Sequence, residues 1–200
     1  MYTAQAFVED VVRAIRSDPQ DAQGKCLEYM QQAVGNPDLL QDYQEQLSNS
    51  WEFHMARTPE CAIKVFKFKA TEKPNYPHDH AGFWGDYIIF RGVMEMAFFE
   101  EENPGTEGWP GLRELTRFSM PFGATRKIRP DQIHAVWSNQ DGTLAIAVYN
   151  GDLNSSRRRI YDLVNKVCIR DLSQWQTRET LGHSGGDLRQ LKKEEIRGER

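Results

Sequence analysis

The chain has 200 residues, 39% apolar and 27% charged, a size that suits one domain with a single core. Its 22 aromatic side chains (10 Phe, 5 Trp and 7 Tyr) are enough to build that core, so wholesale disorder is excluded despite a mean hydropathy of −0.69. A net charge of −4 and a pI near 5.8 offer no electrostatic footprint for nucleic acid. No window approaches the 18 or so consecutive apolar residues of a membrane span, and the opening residues Met1-Tyr2-Thr3-Ala4-Gln5 lack the basic and apolar regions of a secretory leader. A cytoplasmic protein is therefore expected. Cys26, Cys61 and Cys168 form no CxxC pair, which disfavours a disulfide framework or a zinc ribbon.

The first elements are helical. Phe7, Val11, Val12 and Ile15 recur at helical spacing, and Ser17-Asp18-Pro19 supplies a stop. A second helix is predicted over 21–33, striped by Leu27, Met30, Gln31 and Val34 and ended by Gly35-Asn36-Pro37, with a short helical piece over 39–47. Near residue 61 the period changes from helical to alternating. Residues 62–70 alternate charge and apolar character, although Lys64 breaks parity with Lys67 and Lys69, which predicts a bulge near Val65-Phe66. Further strands are predicted over 84–90, 94–99, 112–118, 135–137 and 144–149, most of them punctuated by glycine or proline. Many short strands without intervening helices mean a mainly β sandwich or barrel of the jelly-roll type. The expected organisation is a helical layer over 1–60, a barrel over 61–164 and a polar extension over 165–200, within one domain. Trp175 is the last large aromatic residue, and the charge-dense end from Leu188 has little to bury. Arg157-Arg158-Arg159 reads as a solvated strand edge or a source of ion pairs and is given no function.

Five histidines are the scarce chemical resource. His78 and His80 flank Asp79 after the Pro74-Asn75-Tyr76-Pro77 turn. On an extended chain residues two apart face the same way, so both imidazoles can meet one metal ion while Asp79 points away. His134, ahead of another apolar strand, can arrive from a neighbouring strand. Three neutral imidazoles suit Zn, Fe, Cu or Ni and leave coordination positions open, the pattern of a catalytic site. His54 and His183 fit no such geometry.

From about residue 61 to 152 the chain resembles the cupin superfamily. The glycine twelve residues after the second histidine of the first cupin motif is Gly92, while the usual glutamate ligand is replaced by Gly85, leaving a three-histidine set. The text Tyr76-Pro77-His78-Asp79-His80, then Pro130-Asp131-Gln132-Ile133-His134, then Ala147-Val148-Tyr149-Asn150-Gly151-Asp152 is similar to the bacterial branch of the thiol dioxygenases, the cysteine and 3-mercaptopropionate dioxygenase group. The resemblance implies a cupin jelly-roll (a double-stranded β-helix) behind an N-terminal helical layer, iron(II) on His78, His80 and His134, and O2-dependent oxidation of a small thiol to a sulfinic acid.

The resemblance also sets expectations for the remaining site residues. In the family a serine, a histidine and a tyrosine alternate on the late strand as a hydrogen-bonded relay; here the positions are Ala145, Ala147 and Tyr149, so Tyr149 alone stands as the catalytic candidate. The cysteine that cross-links to this tyrosine in the animal enzyme has no equivalent. Arg57 is the candidate for a substrate carboxylate, as the nearest arginine upstream of His78, with Arg91, Arg117, Arg126 and Arg129 as equal alternatives. Phe83 and Trp84 are expected to line the pocket. The partners implied are a small, carboxylated thiol and O2, with no nucleic acid and no membrane, in a monomer or homodimer. The missing relay histidine keeps two rivals open: a metal-dependent cupin acting on a non-thiol molecule, and a cupin that binds metal or ligand without catalysis.

Overall fold

The protein is described here by a computed structural model covering residues 2–19, 21–153 and 157–172. Helix α1 (Ala4–Ser17) starts where the Thr3 hydroxyl accepts from the Ala6 N–H at 3.1 Å and ends before Pro19. It buries Phe7, Val11, Ala14 and Ile15 on one face, and α2 (Ala22–Val34) buries Ala22, Cys26, Met30 and Ala33. A 3₁₀ turn (Gln41–Tyr43) runs into the short α3 (Gln44–Asn49).

Ten strands follow: β1 (Glu52–Arg57), β2 (Ala62–Phe68), β3 (Gly85–Arg91), β4 (Val93–Glu101), β5 (Leu112–Pro121), β6 (Thr125–Ile128), β7 (Ile133–Trp137), β8 (Thr143–Tyr149), β9 (Arg158–Asp162) and β10 (Val167–Leu172). One antiparallel sheet has the order β1-β2-β8-β3-β6. Opposite it lie β5-β4-β7 and β10-β9, and His78 joins these two pieces by bridging to His134 on β7 and to Ile160 on β9. The chain thus passes repeatedly between two facing sheets, which is the jelly-roll expected from the turn-punctuated strands.

Side-chain alternation divides the first sheet into two faces. Ile63, Val65, Ile88, Leu144, Ile146 and Val148 pack against Phe7, Val11, Ile15, Cys26 and Met30 of the helical layer. Tyr87, Ile89, Ala145, Ala147 and Tyr149 point inward to meet Met94, Met96, Phe98 and Val136 of the second sheet. Each fully buried large side chain contributes about 1.5–3 kcal/mol, so the helical layer is an integral part of the core. Gly92 turns the chain from β3 into β4 at φ +78°, and a Cβ there would lie 2.4 Å from Thr143 Oγ1. Among the described residues no helix is long and apolar enough to cross a membrane.

Four strands went unread in the sequence, each for a physical reason. β1 and β6 are the edges of their sheet and need only one neighbour, so their apolar content is low. β9 begins inside the arginine run, and β10 lies in the segment read as a polar extension. The bulge expected near Val65-Phe66 is absent: β2 pairs with β8 in unbroken register from Ala62 to Phe68, and the irregularity sits in β1 between His54 and Ala56. Lys64 breaks parity because it faces the interior, 1% exposed, with Glu52 Oε1 at 3.4 Å. The readings made for Trp175 and the charged end beyond it lie outside the described residues.

Where β3 meets α2, Asp86 is fully buried; its Oδ1 accepts from Gln23 Nε2 at 2.8 Å and its Oδ2 has no partner. Burial pushes its carboxyl up to about 7, with Cys26 and Lys127 the nearby titratable groups. A carboxyl raised on folding is least costly below its unfolded value of about 4, and its cost grows as the pH rises to the folded value. Asp86→Asn should therefore match the parent near pH 4 and exceed it by about 3–4 kcal/mol at pH 8, as read by urea unfolding at both pH values. A variant less stable than the parent at pH 8 would show that the charged form is wanted.

Candidate metal centre

The three histidines predicted from the sequence converge. His78 and His134 exchange backbone hydrogen bonds, each N–H donating to the other's carbonyl at 2.9 Å. Directly opposed residues of an antiparallel pair share a face, and the two ring centroids lie 4.6 Å apart. His80, two residues on, brings its ring to 4.7 Å from that of His134 and 5.8 Å from that of His78. One ring nitrogen from each falls within 4.8 Å of the others, so the group could hold a metal ion.

The ring chemistry fits a cation. His78 Nδ1 faces the Tyr76 carbonyl at 2.9 Å and His134 Nδ1 faces the Gln132 carbonyl at 3.1 Å. A carbonyl can only accept, so both Nδ1 atoms carry the proton and each Nε2 presents a lone pair. His134 Nε2 and both ring nitrogens of His80 are buried with no partner. Burial holds all three imidazoles neutral: His134 is pushed down to about 4 and the other two well below the ordinary histidine value. Buried, neutral and short of donors, these nitrogens are what a divalent transition metal requires.

Asp79 points away from the group and anchors it. Its carboxylate accepts from the backbone N–H of Ala81 at 3.2 Å and of Arg159 at 3.0 Å, and from Arg159 Nε at 2.6 Å. Arg159 NH1 continues to Glu101 at 3.1 Å, which also accepts from Tyr161 Oη at 2.6 Å. This chain of charges ties the His78-Asp79-His80 segment to β9 and β4.

Tyr149 lies beside the group, its ring edge-on to His80 at 5.0 Å and its hydroxyl 2.8 Å from that of Tyr87. Gly85 is the residue that permits this packing. A Cβ there would fall 2.8 Å from both His80 Cε1 and the Tyr149 ring, so a side chain at this position would force one of the rings to shift. Gly85→Ala should displace one of these rings and weaken cobalt(II) binding by about 10-fold, the scale of a disturbed supporting shell. Unchanged affinity, measured by visible absorption, would show that the rings can yield without consequence.

The structure redistributes the other site residues. Arg57 sits at the exposed end of β1 with its guanidinium paired to Asp152 (Nε to Oδ1 3.1 Å, NH2 to Oδ2 2.8 Å), so its charge is committed there. The arginine that flanks the histidines is Arg158, from the run given no function. Alternation along β9 sends Arg159 and Tyr161 to the outer face and Arg158 inward with Ile160, which bridges to His78. Arg158 Nε is buried without a partner, and its charge acts on His78, His80, His134, Tyr87 and Tyr149. Enclosure weakens its hold on its proton, and among the described residues it makes no ion pair that would offset that burial. A three-arginine run whose members alternate faces was the available signal, obscured because the whole run was read as a solvated edge or a source of ion pairs.

Phe83 joins the interior cluster around Tyr149, with its ring against the Cα of Gly151. Trp84 does not line the site: it packs with Phe7, Val11 and the other residues of the helical layer, because alternation from Phe83 turns it to the opposite face. Asn150 supports the turn by accepting from the Trp84 N–H at 2.8 Å.

No protein-family model matches the chain, and no curated protein matches it. Among solved structures it is similar to KdgF from Halomonas sp. (16% identity, 50% of this chain and 79% of that one, TM-score 0.39). A cupin-2 domain containing protein from Shewanella frigidimarina shares 14% identity over 55% of this chain and 92% of its own, with a TM-score of 0.39. The hydroquinone 1,2-dioxygenase PnpCD shares 9% identity over 54% of this chain and 70% of its own, with a TM-score of 0.42. Its structural neighbours thus include cupin-domain proteins, and the chain itself is a mainly β jelly-roll that carries a three-histidine group able to hold a metal ion.

Proposed function

We propose that the chain is a cupin whose His78, His80 and His134 hold iron(II), and that it oxidises a small, carboxylated thiol to a sulfinic acid with O2. The observation that carries this reading is the convergence of three neutral imidazoles, two of them fully buried, with an inward guanidinium, Arg158, that makes no ion pair among the described residues. The reaction R–SH + O2 → R–SO2H is balanced without an added reductant. Iron(II) in such a site would supply a redox centre with open positions for a thiolate and O2.

The chain's own residues would do the rest. Three neutral ligands leave the full charge of the metal uncompensated, which favours a thiolate over a thiol. Arg158 would hold the substrate carboxylate through its planar fork. His80 and His134 have no exposed surface, and Met94, Met96, Phe98 and Phe83 pack in the interior cluster with Tyr149, which limits the water that reaches them. Tyr149 sets its ring edge-on to His80 at 5.0 Å, which places a phenol beside the ligands.

The test is oxygen consumption by protein loaded anaerobically with iron(II), run against thiols with and without a carboxylate, with products read by mass spectrometry. A sulfinate gains two oxygens on sulfur; no uptake with any thiol at stoichiometric iron would overturn the reading. One observation favours a second reading, a metal-dependent cupin acting on a non-thiol molecule. Ala145 and Ala147 put two methyl groups where the resembling family carries its relay. Oxygenated products that lack sulfur, or product formation without O2, would identify it.

A further inference from the structure

The space beside the centre that Ala147 leaves open is occupied from the neighbouring strand. Tyr87 on β3 is the cross-strand partner of Ala147, and Tyr149 is the partner of Gly85, so the two tyrosines stand on a diagonal of the same inward face. Because Ala147 carries only a methyl and Gly85 nothing, both rings fit, perpendicular to each other with centroids 6.2 Å apart. Phe66 stacks against Tyr87 at 6.3 Å, and Tyr87 turns an edge toward His134 at 6.2 Å. Each ring is thus held on more than one side, and the hydroxyls meet at 2.8 Å in a fully buried bond.

Two phenols carry two protons, and one bond between them uses one. The second O–H is a buried donor, and such a donor is costly unless an acceptor meets it. Tyr149 is the nearer of the two to the histidines: its ring stands edge-on to His80 with centroids 5.0 Å apart, against 6.2 Å between Tyr87 and His134. The arrangement that leaves the spare proton on the site side has Tyr87 donating to the Tyr149 oxygen and Tyr149 donating toward whatever binds at the histidines.

We infer that Tyr87 is the positioning residue for Tyr149, doing from the adjacent strand what a relay residue at position 147 would do along the same strand. The inference rests on the proposal that Tyr149 faces the open positions of the metal. It gives the missing relay a physical replacement: a phenol that fixes the direction of the Tyr149 O–H and polarises it, without adding a base to the site.

The test uses full-length protein loaded with cobalt(II) and titrated with azide, an anionic acceptor small enough for an enclosed site, with binding followed in the visible bands. Loss of a hydrogen bond to a charged acceptor should weaken azide binding about 10-fold or more in Tyr149→Phe. Tyr87→Phe should weaken it about 3-fold or more, and the double variant should be no worse than Tyr149→Phe alone, since Tyr87 acts only through Tyr149. Affinity for cobalt(II) itself should be unchanged in all three. Azide affinity at the parent level in Tyr87→Phe, with Tyr149→Phe impaired, would overturn the inference and leave the role of Tyr149 intact. Parent-level affinity in both single variants would overturn the role of Tyr149 and the inference with it. A fall in cobalt(II) affinity in Tyr87→Phe would show a packing role instead. Tyr87→Met, which fills similar volume without a hydroxyl, repeats the measurement should the phenylalanine variant fold poorly, and the same outcomes decide.

Discussion

Arg159→Ala should destabilise the protein by about 3–5 kcal/mol, the cost of stranding a buried charge, and weaken metal binding by about 10–100-fold. Denaturant unfolding of the metal-free protein and a competition titration with cobalt(II) read the two effects separately. The expectation comes from what the substitution leaves behind. Asp79 and Glu101 have side chains only 6% exposed, and Arg159 links them at 2.6 and 3.1 Å. Glu101 keeps Tyr161 at 2.6 Å and Arg170 at 3.7 Å, but among the described residues Asp79 keeps only backbone donors. An exposed pair of the same length would contribute less than about 1 kcal/mol; burial of the acidic partners makes this one costly to break.

The metal effect follows from where Asp79 sits. It lies between two of the three converging histidines, so any shift in its anchorage moves both His78 and His80. Removing both ends of the pair, in Asp79→Ala with Arg159→Ala, should cost less than the sum of the single losses because no charge remains stranded. A loss below about 1 kcal/mol in Arg159→Ala would place the network with ordinary surface pairs and remove the argument that it holds the ligands.

How far the molecule was legible beforehand depends on whether a feature is local or depends on facing. The His78-Asp79-His80 spacing states its own geometry, since residues two apart on an extended chain share a face, and the structure joins them with His134. The helical stripe of Phe7, Val11 and Ile15 was legible in the same way. Lys64 was misread because a lysine at an inward position looks like a break in register, when it is a buried charge with Glu52 to meet it. Trp84 was placed on the wrong face because its neighbour Phe83 is the inward residue and a single step along an extended chain reverses direction. Arg158 and Arg159 share one run and have opposite surroundings, a distinction invisible until the strand that carries them is known. Tyr87 had no signal of its own: its place follows from the small residues at 85 and 147 on two different strands.

Arg158→Gln gives the sharpest contrast with its neighbour. If the proposed function holds, this variant should raise KM for a carboxylated thiol by about 100-fold, the loss of a charge-assisted, two-pronged contact of roughly 3 kcal/mol. The value of kcat should change far less, because the carboxylate contact is present in both the bound and the reacting states. A thiol of the same length that ends in a hydroxyl should be turned over equally by parent and variant. Stability should move the other way from that of Arg159→Ala. Among the described residues Arg158 makes no ion pair and its Nε has no hydrogen-bond partner, so the folded protein bears the cost of enclosing that charge, and glutamine removes it. Arg158→Lys separates charge from shape: a lysine keeps the attraction but loses the planar fork, so KM should recover only in part. Equal KM values for the carboxylated thiol in parent and Arg158→Gln would show that the guanidinium meets no carboxylate. A fall in stability as large as that of Arg159→Ala would show that it already has a structural partner and is no anion site.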